Sequence, residues 1–480
     1  MIGPVQRAGV VGAGAMGAGI AQVAAQAGAR VSVTDVSEDA LARGRTGVEK
    51  ALADQVRKGR LEQAAADAVL GRIVWSTDLA AHADADLVVE AVVEDPGVKA
   101  ALFAGLEGLV RPEAILATNT SSLSVTALAR GLARPGRFVG MHFFNPAPVM
   151  KLVEVVSGAA TDPAVAEAVF AAAKAWGKTP VRVRDVPGFI VNRVARPFYG
   201  EGLRAWGEGV GEPADIDHAL KVCAGFRMGP LELADLIGHD VNSAVARSVY
   251  DACFGRTRFA PQQAQLELVA AGRLGRKSGS GVYDYGGDLP APRFVEAAPV
   301  AGDEAAFARL AAGETVRADD VVVARADGRS AAAWAAEHGA PVALIDWTRD
   351  LNAVETVVFA ASDERARDAA AGLAAAAGKR ALRLRDRPGG LVLRTLAQLA
   401  NGAADAVRDR VAEPADIDRA MLFGANYPQG PLAWADQVGA GFVVRALDGI
   451  AQETGEEMYR PCEVLRRAAF LSRPLLETAA

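Results

Sequence analysis

Cysteine is scarce in this sequence: Cys223, Cys253 and Cys462 are the only three among 480 residues, far apart and in no CxxC pairing. That excludes a disulfide framework and a thiolate metal centre, so no metal is expected, and it fits a reducing compartment. An excess of positive charge is missing too. Lys and Arg number 52 against 58 Asp and Glu, for a net charge of −6. With the two signs interspersed, no broad positive field exists to hold nucleic acid or an anionic membrane surface. Long apolar runs are absent, because Gly, Arg or Asp interrupts each well short of the roughly 20 residues that span a bilayer. Only Met1 to Arg7 precede the first strand-like run, too few for a secretory signal. The expected location is the cytoplasm.

What is present is an ordinary globular composition, 51% hydrophobic and 23% charged, with length for about three domains. The opening reads as strand Ala8 to Val11, glycine turn Gly12 to Gly17, an Ala-rich helix through Ala27, and strand Arg30 to Thr34: a βαβ pattern. Short apolar runs recur at Ala85 to Val89, Ala114 to Ala117, Phe138 to Met141 and Val153 to Val156. They predict an open α/β sheet extending to about Arg184. From Pro187 long amphipathic stretches take over, at Phe189 to Gly207, Pro213 to Cys223 and Pro230 to Asp251. They end near a glycine-rich segment, 275–287. Leu289 to Pro299 carries three prolines and reads as a linker.

Sliding the helical segment by 201 positions reveals an internal repeat. Arg184-Asp185-x-Pro187-Gly188 matches Arg385-Asp386-x-Pro388-Gly389, and EPADID from Glu212 recurs unchanged from Glu413. Between the copies, Val342 to Ile345 and Glu355 to Ala360 look like strands without a phosphate turn. The organisation expected is therefore 1–185 dinucleotide-binding, 186–287 helical, 288–380 linker with a partial α/β remnant, and 381–480 a second helical copy.

Gly12-x-Gly14-x-x-Gly17 follows a strand and opens a helix. The first glycine permits the tight turn, the second lets backbone approach a pyrophosphate, and the third brings helix close to strand. The helix N-terminus adds free N–H groups and a positive dipole end. Asp35 closes the second strand, where a carboxylate accepts from a ribose and repels a 2′-phosphate, so NAD is favoured over NADP. The bland reading of Asp35 is a turn cap before Ser37. His142 ends an apolar strand, and Glu154 lies twelve residues on in another. If they meet, the carboxylate orients the imidazole and stabilises imidazolium, leaving the other nitrogen as a base; the alternative is a satisfied core histidine. Asn119-Thr120-Ser121-Ser122 reads either as a helix cap or as a hydroxyl presented to substrate at a strand's carboxyl end. Asn192 falls early in the first long helix; Leu393 takes its place in the second copy, as expected if only the first copy faces a reaction centre.

Together, GAGAMGAGIAQVAAQAG, ATNTSSLSVT, GMHFFNPAPVMKLVEVV and PGFIVNR, in that order, resemble the L-3-hydroxyacyl-CoA dehydrogenase family. The resemblance covers about 285 residues and then the C-terminal repeat. It implies a Rossmann-type α/β domain followed by an all-α domain, here duplicated, and NAD-dependent oxidation of the 3-hydroxyl of an acyl-CoA thioester. It implies that His142 takes the hydroxyl proton with Glu154 as orienting partner, and that Ser121 and Asn192 hold the reacting oxygen. Gly12, Gly14, Ala15, Met16, Gly17, Asp35, Glu94, Lys99, Asn145 and Lys277 match positions that bind the dinucleotide. The duplicated tail is similar to bacterial forms used for 3-hydroxybutyryl-CoA or 3-hydroxyadipyl-CoA in fatty acid or phenylacetate-type catabolism, and a homodimer is expected. A family lysine that meets the CoA phosphates has no single counterpart, since Arg43, Arg45, Lys50, Arg57 and Lys58 compete for it. A dehydrogenase of a free hydroxy or sugar acid, or a silent NAD-binding protein, stays open as an alternative.

Overall fold

The computed structural model describes residues 4–299 and 303–477. The chain divides into two compact units, one running to Val191 with Arg410–Ala425 added, the other comprising Asn192–Asp409 and the chain from Asn426 onward.

The first unit is built on an eight-stranded sheet: β1 (Arg7–Val11), β2 (Arg30–Thr34), β3 (Ile73–Ser76), β4 (Leu87–Glu90), β5 (Ile115–Thr118), β6 (Phe138–Phe143), β7 (Leu152–Ser157) and β8 (Thr179–Arg184). Their spatial order is 3-2-1-4-5-6-7-8, parallel except that β7 runs antiparallel to β6. Helices cover both faces, which is why β4, β5 and β6 are buried along their whole length and read as continuous apolar runs. The order reverses between β1 and β4. A ligand crevice belongs at that point, outside the carboxyl ends of the strands. The sequence reading found the strands now numbered β1, β2 and β4–β7 but missed β3, most of whose residues are not buried, and β8.

His82 is fully buried behind this sheet, bonded through Nδ1 to the Ser32 hydroxyl (2.7 Å) and through Nε2 to the Thr34 hydroxyl (2.8 Å). No carboxylate accompanies it in these bonds, and burial lowers its pKa to about 4. The unfolded chain therefore binds more protons than the folded one between about pH 6.5 and 4. Stability is expected to fall across that window on acidification, by about 3 kcal/mol. Denaturant titrations at stepped pH check this, and His82→Gln should flatten the slope.

The second unit holds most of the helices and a five-stranded sheet: β9 (Val316–Ala318), β10 (Val321–Arg325), β11 (Val342–Ile345), β12 (Thr356–Ala361) and β13 (Arg380–Arg383), in the order 13-12-11-10-9. Only β11 and β12 are legible in the sequence. The 288–380 segment is thus more than a linker with a fragment: it has its own core around Val323, Ala343, Val357 and Phe359. The expected helix Pro230 to Asp251 is two, Pro230–Ile237 and His239–Ala252, broken at Gly238, whose φ of +100° no L-residue adopts readily.

The repeat has a mechanical meaning. Asp185 accepts from the Val125 and Thr126 N–H groups at a helix start, and its counterpart Asp386 does the same for Ala331 and Ala332. The EPADID helices correct the expected boundaries. Helix Pro414–Gly424 of the second copy packs on β7 and β8 of the first unit. There Arg184 N–H donates to Val411 O at 2.8 Å and Arg182 N–H to the Asp416 carboxylate at 3.0 Å. In the second unit, helix Pro213–Ala224 of the first copy packs on β12, and Arg385 N–H donates to Val210 O at 2.8 Å. Residues 381–480 are therefore not one body. The physical reason is the edge strand: the Arg182 and Arg184 N–H groups at the β8 edge are satisfied and covered by the exchanged segment. Among the described residues no helix is long and apolar enough to cross a membrane.

Candidate active site

The glycine turn joins β1 to helix Ala15–Gln26 at the sheet's carboxyl edge. Gly12 has φ +103°, and a Cβ there would sit 2.5 Å from Ala91 O. A Cβ on Gly17 would lie 1.8 Å from Gly12 O, so the helix could not approach. At Gly14 a Cβ would meet nothing within 4 Å, and no side chain caps the helix there. Its backbone thus faces open space with N–H groups to offer, the form a dinucleotide pyrophosphate requires. Ala15 and Met16 are the helix's first residues.

Asp35 Oδ2 accepts the Ala13 N–H at 2.9 Å, which ties the end of β2 to the turn, and Oδ1 accepts from Ser37 N–H at 3.1 Å. The turn role and the place beside the glycine loop coexist. On the same edge, a groove of about 430 Å³ runs between the Gly14–Gln22 face and helix Glu38–Arg57. Of the five competing basic residues, Arg43 lines this groove, whereas Arg45 is paired with Glu49 and Arg57 with Asp54.

Beyond β4 and β5 lies a network the sequence reading captured only in part. Glu90, fully buried at the end of β4, accepts from the Lys99 ammonium (2.6 Å), the Thr118 hydroxyl (2.7 Å) and the Val92 N–H (2.7 Å). Lys99, 1% exposed, also bridges to Glu94 at 3.0 Å. Glu94 in turn accepts from the Thr120 hydroxyl, the Ser121 N–H (3.1 Å) and the Ser122 hydroxyl (3.0 Å). Burial alone would raise the Glu94 carboxyl, but the Thr120 hydrogen bond and the Lys99 charge outweigh it and hold it below its ordinary value. Lys99 therefore reaches the site through Glu94, as a positioning group. Glu90 was missed; its signal was a carboxylate closing an otherwise apolar strand.

His142 and Glu154 face each other across the antiparallel β6–β7 pair, with His142 Nδ1 2.7 Å from Glu154 Oε2. Glu154 Oε1 accepts the N–H groups of Ile190 and Val191 at 3.0 and 3.1 Å. One carboxylate thus anchors both the imidazole and the start of a helix. Phe144 and Phe189 flank the ring, at centroid distances of 4.6 and 5.8 Å. Asn119 Oδ1 accepts the Phe143 N–H at 2.8 Å, which fixes the end of β6 against the Ser121 loop. With Nδ1 held, Nε2 is the nitrogen left for proton transfer. Asn145 follows β6 and is exposed. Asn192 and Lys277 belong to the second unit, where Lys277 is paired with Asp240 at 2.6 Å.

The second sheet shows what the pair becomes without selection for chemistry. Val358 pairs with Leu382 as Glu154 pairs with Val181, and Asp346 N–H donates to Val358 O. The register therefore puts Asp346 at the place of His142 and Val358 at that of Glu154. Asp346 accepts the N–H groups of Leu391, Val392 and Leu393 at 2.7, 2.8 and 3.0 Å, the helix-anchoring half of Glu154's task. The imidazole is gone.

Comparison with known proteins agrees with this geometry. The family model for the 3-hydroxyacyl-CoA dehydrogenase NAD-binding domain matches residues 7–186, that for the family's C-terminal domain matches 188–285 and again 389–475, and the 3-hydroxybutyryl-CoA dehydrogenase reduced Rossmann-fold domain matches 323–388. The chain is 46% identical over 97% of its length, and 98% of the relative's, to a 3-hydroxyadipyl-CoA dehydrogenase of Escherichia coli. It is 47% identical over 58% of its length, and 99% of the relative's, to a probable 3-hydroxybutyryl-CoA dehydrogenase of Deinococcus radiodurans. A crystal structure described as 3-hydroxybutyryl-CoA dehydrogenase from Escherichia coli K12 superposes with a TM-score of 0.91 at 45% identity, covering 97% of this chain and 98% of that one. The chain belongs to the 3-hydroxyacyl-CoA dehydrogenase family, and it is an NAD-dependent enzyme of that family.

Proposed function

We propose that the protein oxidises the 3-hydroxyl of a short L-3-hydroxyacyl-CoA, of the 3-hydroxybutyryl or 3-hydroxyadipyl kind, to the 3-ketoacyl-CoA in fatty acid or phenylacetate-type catabolism. The observation that carries this reading is the His142–Glu154 pair at the carboxyl edge of the sheet that bears the glycine turn. The names of the relatives that span nearly the whole chain support the substrate class.

His142 Nε2 takes the hydroxyl proton as the C3–H bond breaks, and Glu154 offsets the positive charge that appears on the ring. The Gly12–Gly17 turn and Asp35 would hold NAD, which when bound would supply a hydride acceptor. Ser121, which matches a family position, hydrogen-bonds the reacting oxygen, and Asn192 matches a family position in the second unit. Asn145 is a dinucleotide contact on the same footing, and Lys277 matches such a family position in the second unit. Arg43, in the groove beside the turn, is the residue proposed to meet a phosphate of the thioester's CoA. The enzyme acts as a homodimer, a point that analytical ultracentrifugation decides.

The test is a scan of NADH formation with 3-hydroxyacyl-CoA substrates of graded length, including 3-hydroxyadipyl-CoA, beside L-gulonate. Turnover of the thioesters with little of the free acid is expected. A preference for L-gulonate, or tight NADH binding with no turnover, would reject the reading.

A further inference from the structure

Lys178 is a buried cation that the proposed chemistry does not use. It stands in the turn between helix Pro163–Ala175 and β8, is 8% exposed, and forms no ion pair among the described residues. Its ammonium instead donates to two backbone carbonyls, Ala147 O at 2.5 Å and Met150 O at 2.9 Å. Burial pushes its pKa down to about 8, so keeping the charge there has a cost, which two charge-assisted hydrogen bonds offset.

Both carbonyls belong to the turn that joins β6 to β7. The turn closes on Pro146 O, which accepts the N–H groups of Val149 and Met150 at 3.0 Å each, and it leaves Ala147 O and Met150 O to be satisfied from outside. Lys178 does so. Asn145, exposed, opens the turn two residues after β6 ends. Ala147 and Pro148 pack on helix Ala15–Gln26 at Gly19, where a Cβ would lie 3.1 Å from Pro148 Cδ and 3.2 Å from Ala147 Cβ. Pro148 also lines the groove that Gly14 and Ala15 border. The turn is thus held between the ammonium and the helix that opens at the glycine turn.

The second sheet carries a matching device. Lys379, 201 positions on, precedes β13 as Lys178 precedes β8, and it donates to Asn352 O at 2.7 Å and Val354 O at 2.6 Å on the loop between β11 and β12. That lysine is only partly buried, and no glycine-rich phosphate turn accompanies its sheet. A lysine therefore closes this loop in both sheets, and the copies differ in what the loop carries.

We infer that Lys178 is a positioning residue for the cofactor: by holding the Ala147 and Met150 carbonyls it seats the turn that presents Asn145 and Pro148 to NAD. The inference rests on the place proposed above for Asn145 among the dinucleotide contacts. Lys379 is its internal control, because a clamp that only stabilises the fold would act alike in both sheets.

The experiment measures NADH affinity by fluorescence titration, kcat and KM for NAD, and melting temperature in the full chain, for wild type, Lys178→Met, Lys178→Arg, Lys379→Met and Asn145→Ala. Lys178→Met should weaken NADH binding about 10-fold and raise KM for NAD to match, with kcat at saturating NAD within about twofold of the wild type. Lys178→Arg, which keeps charged donors, should recover part of the affinity. Lys379→Met should lower the melting temperature and leave NADH affinity unchanged. Unchanged NADH affinity in a folded Lys178→Met, or an equal loss in Lys379→Met, overturns the inference. With affinity unchanged in Lys178→Met, weakened binding in Asn145→Ala means that the inference alone falls, and unchanged binding there too means that the reading of Asn145 falls with it. If Lys178→Met fails to fold, hydrogen exchange in the wild type decides: NADH should slow exchange of the Val149 and Met150 amides, and exchange that NADH does not alter overturns the inference.

Discussion

Replacing His142 with glutamine is expected to lower kcat for 3-hydroxyacyl-CoA oxidation about 10²- to 10⁴-fold, with NADH affinity close to that of the wild type. In the function proposed above the imidazole is the proton acceptor, and no part of the glycine turn depends on it. Glu154→Gln separates the carboxylate's two tasks. An amide oxygen still accepts the Ile190 and Val191 N–H groups, so the fold should survive, but the negative charge beside Nδ1 is gone and imidazolium is no longer stabilised. Turnover should fall, with little change in melting temperature. Steady-state kinetics over a pH series and NADH fluorescence titration check both variants. Equal loss of turnover and NADH binding in His142→Gln would contradict the proton-transfer role.

Asp35→Ala is expected to act on the opposite side of the ledger of affinities. The carboxylate accepts the Ala13 N–H and, in the function proposed above, the hydroxyls of the adenosine ribose. Losing a hydrogen bond to a charged group is worth about 1.5–3 kcal/mol, so NADH binding should weaken roughly 10- to 100-fold. Because the same charge repels a 2′-phosphate, NADPH should lose less or gain, and discrimination between the cofactors should shrink. Parallel titrations with NADH and NADPH read this directly. An unchanged preference would remove Asp35 from the ribose.

Much of the site was legible because its parts lie on elements with strong local signals. The glycine turn needs three glycines at set spacings: a Cβ at Gly12 or Gly17 would clash with backbone, while Gly14 faces open space. The approach of His142 to Glu154 was only conditional in the sequence, since twelve residues of separation allow many geometries. It becomes definite once β6 and β7 pair antiparallel with these two residues in register. Glu90 and the burial of Lys99 stayed hidden because a charged pair in a core is the product of tertiary packing, which one-dimensional patterning does not report. The exchange of the EPADID helices was hidden for a related reason. Repetition shows that a unit occurs twice, but which sheet each copy packs on depends on where edge strands leave N–H groups unsatisfied. Strands β3, β8, β9, β10 and β13 were missed, each a short segment with positions that are exposed or only partly buried.

The most direct measurement is a crystal structure of the enzyme with NAD and a 3-ketoacyl-CoA bound together. The account predicts His142 Nε2 at about 3 Å from the 3-keto oxygen, Nδ1 still on Glu154, and C3 against the nicotinamide ring. A substrate oxygen held by other groups, with the imidazole turned away or its carboxylate partner displaced, would contradict it.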